Sequence, residues 1–249
     1  MCYIYITIPG IRMQKPVPQR AQRSDKGRIT LTPRDLAVLP WIGEQYAARL
    51  DQVAQLLGRV AERPTQKEGI VQITTAQRVL RRWQALGVVQ SRYIIAREPP
   101  WIYLSGKGLH ELGLPFRFYT PTAALTAHRY WTNHVRLWVE RHYPSDRWIS
   151  ERVLSKAREN TADAAQHLVD AEIHRSDAEG EPIVIAVEVE LTVKEAGRSE
   201  SIMRELAERY DGIWYFTTAA THDAVERTIE RLGEEVKARF RIRNLSTLA

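Results

Sequence analysis

Four carboxylates fall on two extended segments in the second half of the sequence. Glu188 and Glu190 alternate with apolar residues in a run rich in valine and isoleucine, and Asp170 and Glu172 have the same spacing in the preceding segment. Residues two apart on a strand share one face, so the two pairs can meet across a ladder. Oxygen-rich clusters suit Mg²⁺, which can neutralise charge on a phosphate during transfer. The spacing therefore indicates a candidate site for Mg²⁺ (or Mn²⁺) on a sheet.

Anions in apolar surroundings are costly unless a cation or a metal ion compensates them. Lys194 lies four residues after Glu190 and is a nearby cation. The alternative interpretation is that the carboxylates only form ion pairs at strand ends. Their partners would then be Arg152, Arg175 or Arg198. On the residues alone we favour this structural interpretation.

A second group of residues has the spacing of an amphipathic helix over residues 74–86, ending at Gly87. On a helical projection the apolar positions cluster on one side. They are Ala76, Val79, Leu80, Trp83 and Leu86. The opposite side and its shoulders carry Thr74, Gln77, Arg78, Arg81 and Arg82. Arginine can bind guanine edges or phosphates and glutamine can read adenine, so this side predicts a nucleic-acid contact.

The surrounding residues place this helix third in a recognisable order. Helices are predicted from Thr32-Pro33 and from Asp51, and strands over residues 88–95 and 101–104 follow the third helix. Three helices followed by a β-hairpin is the winged-helix plan, whose third helix enters the major groove of DNA. Arg92 and Arg97 on the hairpin are then expected to contact phosphate. The alternative is that the basic side of the helix is only solvated.

The charge distribution agrees with binding to a polyanion. Residues 1–120 contain 18 basic and 8 acidic residues, a formal charge of +10, whereas residues 121–249 contain 18 and 22, a charge of −4. Phosphate neutralisation supplies most of the non-specific affinity of DNA-binding proteins. The single cysteine excludes an internal disulfide framework and a cysteine-based zinc site. No apolar run approaches the roughly 18 residues that cross a bilayer, so we expect a cytoplasmic protein without a membrane partner.

The length of 249 residues favours two domains. We predict a flexible basic arm over residues 1–30, a winged-helix domain over 31–118 and an α/β domain over 119–249. In the last part, helices are predicted over residues 120–142, 198–210 and 223–232, and strands over 148–150, 167–173, 183–191, 212–216 and 237–242. A sheet flanked by helices follows from this order.

The order helix, three strands, helix, strand, with an acid on the second strand and Glu-x-Glu on the third, resembles the PD-(D/E)xK nuclease-like fold. The resemblance implies a restriction-endonuclease-like αβββαβ domain. It assigns Asp170 and Glu188 as metal ligands and Glu151 as an additional acid. Glu190 stands where that family usually has lysine, and Lys194 is the candidate substitute.

The whole chain is similar to the replication-relaxation family of plasmids and integrative elements. Five segments of the sequence carry this resemblance, which covers about residues 30–220: residues 31–36, 78–83, 148–152, 188–192 and 210–216. The family is associated with plasmid replication and with relaxation of plasmid DNA. The resemblance therefore implies a protein of a mobile genetic element.

Three functions remain open on the sequence. The first is a protein that binds double-stranded DNA and acts in replication, DNA relaxation, transfer or their regulation. The second is a metal-dependent DNA endonuclease, in which Asp170 and Glu188 hold the metal ion and Glu190, Lys194 and Glu151 assist. The third is a non-catalytic scaffold that recruits replication or transfer proteins. A second copy of the chain is a further candidate partner, and we slightly favour a non-catalytic protein.

Overall fold

The structure is a computed structural model that describes residues 30–60, 69–159 and 166–248. The predicted flexible arm lies outside these residues, apart from Thr30. The elements of the first half are α1 (Pro33–Glu44), β1 (Ala48–Arg49), α2 (Leu50–Arg59), α3 (Ile73–Ala85), β2 (Val89–Arg92), β3 (Trp101–Leu104) and α4 (Gly106–Glu111).

The first helix begins where the sequence predicts it. The Thr32 hydroxyl accepts from the Asp35 backbone N–H, the Asp35 carboxylate accepts from the Thr32 N–H, and Pro33 occupies the first helical position. This reciprocal capping satisfies N–H groups that a helix terminus otherwise leaves unpaired. The second helix, by contrast, begins one residue before the predicted cap Asp51, because extended Arg49 precedes it and the Leu50 N–H donates to the carbonyl of Pro100.

The predicted hairpin is confirmed and gains a third strand. The strands are ordered β1-β3-β2, with both pairs antiparallel. The first strand of the hairpin ends at Arg92, earlier than the predicted residue 95. Neither β1 nor α4 was predicted, because the two residues of β1 and the six of α4 are too short to show a period.

The second half contains α5 (Ala123–His142), β4 (Arg147–Ser150), α6 (Glu151–Arg158), β5 (Ala171–Ser176), β6 (Pro182–Glu190), α7 (Ala196–Arg209), β7 (Gly212–Thr217), α8 (Ala219–Glu230), α9 (Glu234–Lys237) and β8 (Phe240–Asn244). They form a sheet of order β4-β5-β6-β7-β8. The strand pairs β4–β5 and β5–β6 are antiparallel, and β6–β7 and β7–β8 are parallel.

Three expectations about this half need correction. The predicted strand over residues 237–242 is displaced, because Lys237 ends helix α9 and β8 spans Phe240–Asn244. Glu151 does not end a strand but begins α6, so a helix separates the first two of the three predicted strands. The predicted strand over residues 167–173 is displaced, because β5 spans Ala171–Ser176 and continues into a tight turn closed by Asp177 and Gly180. Asp170 therefore lies immediately before the strand, in register to approach Glu188 across the β5–β6 ladder.

Helix α5, the first helix of the second half, packs both on the five-stranded sheet and on the core of the first half. Its Val135 and Val139 are buried against the five-stranded sheet, while its Leu137 joins the core of the first half. The Asn133 side chain donates to the Ala47 carbonyl at 2.9 Å and to the Gln52 side chain at 3.1 Å, and both Asn133 and Gln52 are fully buried. The halves therefore share a hydrogen-bonded interface in addition to apolar contact.

The structure is thus mixed α/β, with separate sheets in its two halves and helices packed on each. In the three described ranges, every helix is too short or too polar to cross a bilayer.

Candidate functional site

The two faces of α3 divide as the sequence predicts. Its back carries Ala76, Val79, Leu80 and Trp83, all buried in the core of the first half. Its front is open to solvent, with Thr74, Arg78 and Arg81 exposed and Gln77 partly exposed. Because the back is anchored in the core, the front is a fixed surface rather than a mobile segment.

The exposed arginines of this face have no carboxylate partner in the part of the chain that the structure describes. Among the described residues, neither Arg78 nor Arg81 forms an ion pair, and residues 69–97 contain five arginines and no acidic residue. A guanidinium without an internal carboxylate keeps its donors available for an external anion. The front of α3 can therefore attract and bind phosphate.

Arg82 differs from its neighbours. Its guanidinium forms an ion pair with the carboxylate of Asp35, which is fully buried, and the indole N–H of Trp83 donates to the same carboxylate oxygen at 2.8 Å. Although burial opposes its ionisation, the hydrogen bonds from Thr32 and Trp83 and the charge of Arg82 lower the pKa of Asp35. Arg82, which the sequence predicts as a nucleic-acid contact, forms an internal ion pair that fastens α3 to α1.

The hairpin extends the basic surface beyond α3. Arg92 and Arg97 are exposed, and neither pairs with an acid in the described part of the chain. Arg97 lies in the loop between β2 and β3 with a φ of 67°, a conformation that L-residues adopt rarely. The Gln84 amide donates to the Ser91 hydroxyl at 3.0 Å, which ties α3 to the hairpin.

The predicted carboxylates also come together, at one end of β5 and β6. The backbone N–H of Val189 donates to Asp170 Oδ2 at 2.8 Å, and Asp170 Oδ1 lies 2.7 Å from His128 Nε2. Glu188 Oε1 lies 2.8 Å from His167 Nε2. Glu190, also buried, forms an ion pair with Lys194 at 2.6 Å.

Glu151 closes this cluster from α6. Its carboxylate pairs with Arg129, the residue after His128 on α5, and its backbone N–H donates to the Asp170 carbonyl at 3.0 Å. Glu172 contacts His174 Nε2 at 2.8 Å and accepts from the Tyr210 hydroxyl at 2.9 Å. Among the described residues, therefore, the arginines considered above as alternative counter-ions, Arg152, Arg175 and Arg198, pair with none of these carboxylates.

His128 and His167 are the residues that sequence reasoning missed. Spacing places His128 in the apolar stripe of α5 and His167 in a strand, and it shows an acidic neighbour for neither. Their partners lie 42 and 21 residues away in sequence. The only available signal was the presence of histidines beside segments that carried uncompensated carboxylates.

Burial gives the Glu188–His167 pair unusual proton affinities. Burial raises the pKa of Glu188 to about 7, with a further contribution from the charge of Asp170, whereas the contact with His167 opposes the shift. The same contact raises the pKa of His167 above its ordinary value. Burial opposes protonation of His128, but its contact with Asp170 outweighs burial and raises the pKa of His128.

These pKa directions predict a pH dependence of stability. A carboxyl whose pKa rises from 4.5 to about 7 on folding binds its proton more tightly in the folded state. Its contribution to the free energy of unfolding is therefore lost as pH rises through that interval. The raised pKa of His167 acts in the same direction at higher pH. Between about pH 5 and about pH 8, wild type should lose about 2–3 kcal/mol of unfolding free energy relative to Glu188→Gln.

The measurement is urea unfolding of both proteins across this pH range. Glu230→Gln, at an exposed position, should keep the wild-type slope. Parallel curves for wild type and Glu188→Gln would show that Glu188 keeps an ordinary pKa.

The carboxylates as placed do not fit the predicted metal ion. Both oxygens of Asp170 are engaged, His167 occupies one oxygen of Glu188, and Lys194 neutralises Glu190. No group of three or more ligand side chains with suitable geometry occurs within the ranges that the structure describes. We therefore derive no step through Mg²⁺ or Mn²⁺, and the endonuclease function stays a prediction.

Comparison of this chain with family models, with curated proteins and with solved structures finds no match in any of the three.

Proposed function

We propose that this protein binds double-stranded DNA through the front of α3 and the β2–β3 hairpin, in the manner of a winged helix. The observation that carries the proposal is the exposed pair Arg78 and Arg81, which has no acidic partner among the described residues and stands on a helix whose back is buried. Exposed arginines remain hydrated, so the free protein loses little stability by exposing them. When they bind a phosphate backbone, the counterions released from it lower the free energy of the complex.

The arrangement of α3 and the hairpin supports double-stranded DNA as the partner. In a winged helix the third helix lies in the major groove and the hairpin follows the backbone. Arg78 and Arg81 would then bind guanine edges or phosphates, and Gln77 would pair with adenine. Arg92 and Arg97 would hold phosphates from the hairpin.

The second half is proposed to be a nuclease-like module without catalytic activity. The resemblance described above suggests the nuclease-like module, and the engagement of Asp170 by His128, of Glu188 by His167 and of Glu190 by Lys194 favours a binding or scaffolding role. The resemblance to the replication-relaxation family favours action in plasmid replication, DNA relaxation or transfer, with the corresponding proteins as candidate partners.

The duplex-binding proposal predicts steep salt dependence and a lower affinity when the free arginines are removed. Arg78→Ala and Arg81→Ala should each weaken binding by about 5- to 100-fold and reduce the slope of log affinity against log salt by about one for every phosphate that is no longer neutralised. The measurement is fluorescence anisotropy of a labelled duplex between about 50 mM and about 200 mM salt.

Arg227→Ala is the matched control, because it removes an exposed helical arginine from α8, in the other half of the molecule. It should leave both the affinity and the salt slope close to wild type. Absent duplex binding, salt-insensitive binding, or an equally weakened affinity in all three variants would contradict the proposal.

A further inference from the structure

A cavity of about 210 Å³ lies between the turn that follows α1, the connection from α4 to α5, and helix α6. We call it the Tyr46 cavity and define it by Tyr46, Phe116, Phe118, Tyr119, Arg152 and Lys156, which line it. Neither the front of α3 nor the carboxylates of Asp170, Glu188 and Glu190 contribute to it. Its lining combines these aromatic rings and cationic side chains with Arg117, Ser155 and one carboxylate, that of Glu159, which pairs with Lys156.

Arg152 is the most unusual member of this lining. It is buried, with 6% of its surface exposed, yet within the described ranges its guanidinium donates only to carbonyl oxygens, those of Gly43 at 2.6 Å and of Arg117. The rings of Tyr46 and Phe116 lie 4.6 Å from its central carbon. No carboxylate in the described ranges pairs with it, and burial lowers the pKa of Arg152 to about 10. A buried cation without a counter-ion is costly, so an anion that entered the cavity would relieve that cost.

The rings offer a surface for a flat ligand. Phe118 is 50% exposed although it is a large apolar side chain, and Tyr46 packs edge-on against Tyr119 with 4.9 Å between ring centroids. Buried polar groups are normally hydrogen-bonded. The buried hydroxyl of Tyr119 nevertheless has no hydrogen-bond partner among the described residues. It is a polar group that a ligand in the cavity could satisfy.

The backbone at Tyr46 adds an independent indication of a site. Tyr46 has a φ of 67°, a left-handed conformation that costs a non-glycine residue roughly 1–2 kcal/mol. The guanidinium of Arg129 lies 4.0 Å from its ring centroid, in addition to that of Arg152, so packing holds the residue in place. Strained residues of this kind cluster where a protein binds a ligand.

We propose that the Tyr46 cavity binds one unpaired nucleotide of a nucleic acid, with its base on the exposed ring of Phe118 and its phosphate near Arg152 and Lys156. Single-stranded nucleic acids are bound by this combination of stacking rings and cations. The cavity is smaller than the roughly 300–1,000 Å³ of sites that enclose drug-sized ligands, so it would enclose the phosphate and part of the sugar while the base lies on the exposed ring of Phe118. The charge of +10 on residues 1–120 would attract the rest of the strand.

The inference goes beyond duplex binding, and it can be tested without any duplex. Thymidine 5′-monophosphate is the probe, titrated into the full chain by isothermal calorimetry, with thymidine and inorganic phosphate as separate arms. Phe118→Ala should weaken binding of the nucleotide by about 5- to 150-fold, the range found for stacking of one base on a ring. Tyr93→Ala, which removes a 74% exposed ring from the hairpin, should bind the nucleotide as wild type does.

A second variant protects the test against loss of folding. Lys156→Ala removes the cation that pairs with Glu159 at 2.5 Å, and it should weaken the nucleotide and the phosphate together. Its matched control is Lys107→Ala, in which an exposed lysine is likewise removed from a nearby carboxylate, that of Glu111. All four variants should show the wild-type circular dichroism spectrum.

The possible results either support or overturn nucleotide binding in the Tyr46 cavity. Binding of the nucleotide that is tighter than that of thymidine or phosphate alone, and that is weakened by Phe118→Ala and Lys156→Ala but not by the controls, supports the proposal. Absent binding overturns it, as does equal binding of phosphate and nucleotide with no effect of Phe118→Ala. Arg78→Ala and Arg81→Ala should leave nucleotide binding unchanged, so failure of this proposal and failure of duplex binding can be distinguished.

Discussion

Replacement of Asp35 by alanine is expected to lower the free energy of unfolding by about 3 kcal/mol, the lower end of the range for breaking a buried ion pair, because the Arg82 side chain that loses its partner is 26% exposed and can be hydrated. The fully buried Asp35 carboxylate accepts from the Thr32 N–H at 2.7 Å, from the Thr32 hydroxyl at 2.8 Å and from the Trp83 indole at 2.8 Å, and it pairs with Arg82. The variant leaves these donors without an acceptor. It also removes the ion pair and the hydrogen bond that join α1 to α3.

Urea unfolding followed by tryptophan fluorescence measures this effect. Asp51→Ala is the matched control, because it removes the acid of a partly exposed ion pair with Arg49 and should cost about 1 kcal/mol or less. Equal destabilisation of the two variants would show that the Asp35 network contributes no more than a surface pair. Because α3 carries the proposed DNA surface, Asp35→Ala should also weaken duplex binding at temperatures where the protein is still folded.

Replacement of Gly108 by alanine is expected to destabilise the protein by about 3 kcal/mol, the upper part of the range for overpacking of a core. A Cβ at this position would lie 2.0 Å from the carbonyl oxygen of Val88 and 2.9 Å from its carbonyl carbon. Both are backbone atoms at the start of the hairpin, so no side-chain rotation removes the overlap. Either α4 or the hairpin must shift.

Gly106→Ala is a control within the same helix. An added Cβ there meets no atom within 4 Å, and alanine is the better helix former, so stability should stay unchanged or rise by about 0.5–1 kcal/mol. Thermal unfolding of both variants separates the two effects. Similar midpoints for Gly106→Ala and Gly108→Ala would contradict the predicted overlap with Val88.

The parts of the fold that the sequence predicts are those determined by local chemistry. Thr32 and Pro33 form a cap within four residues of chain, and the period of α3 separates Trp83 from Arg78 without reference to the rest of the molecule. The long apolar run of β6 likewise needs no partner to be recognised. These elements appear within one or two residues of their predicted positions.

The parts that the sequence does not predict depend on distant contacts. Helix α6 starts at Glu151 where the preceding Ser150 hydroxyl donates to the carbonyl of Glu44, 106 residues away. The partners of Asp170 and Glu188 depend in the same way on where α5 crosses the sheet and on the chain before β5. Spacing showed that these acids needed polar partners, but it could not show that His128 and His167 would be those partners.

The interface on α5 has a consequence for the geometry of any complex. Since Asn133 and Gln52 are fully buried and joined at 3.1 Å, and Leu137 of α5 lies in the core of the first half, separation of the halves would break this hydrogen bond and expose apolar surface, and hinge motion about this contact is therefore unfavourable. In a complex with a duplex on α3, the five-stranded sheet would accordingly keep a constant position relative to the DNA. Any second contact that the sheet makes with the same DNA should therefore recur at a fixed number of base pairs from the first, whatever the sequence between them.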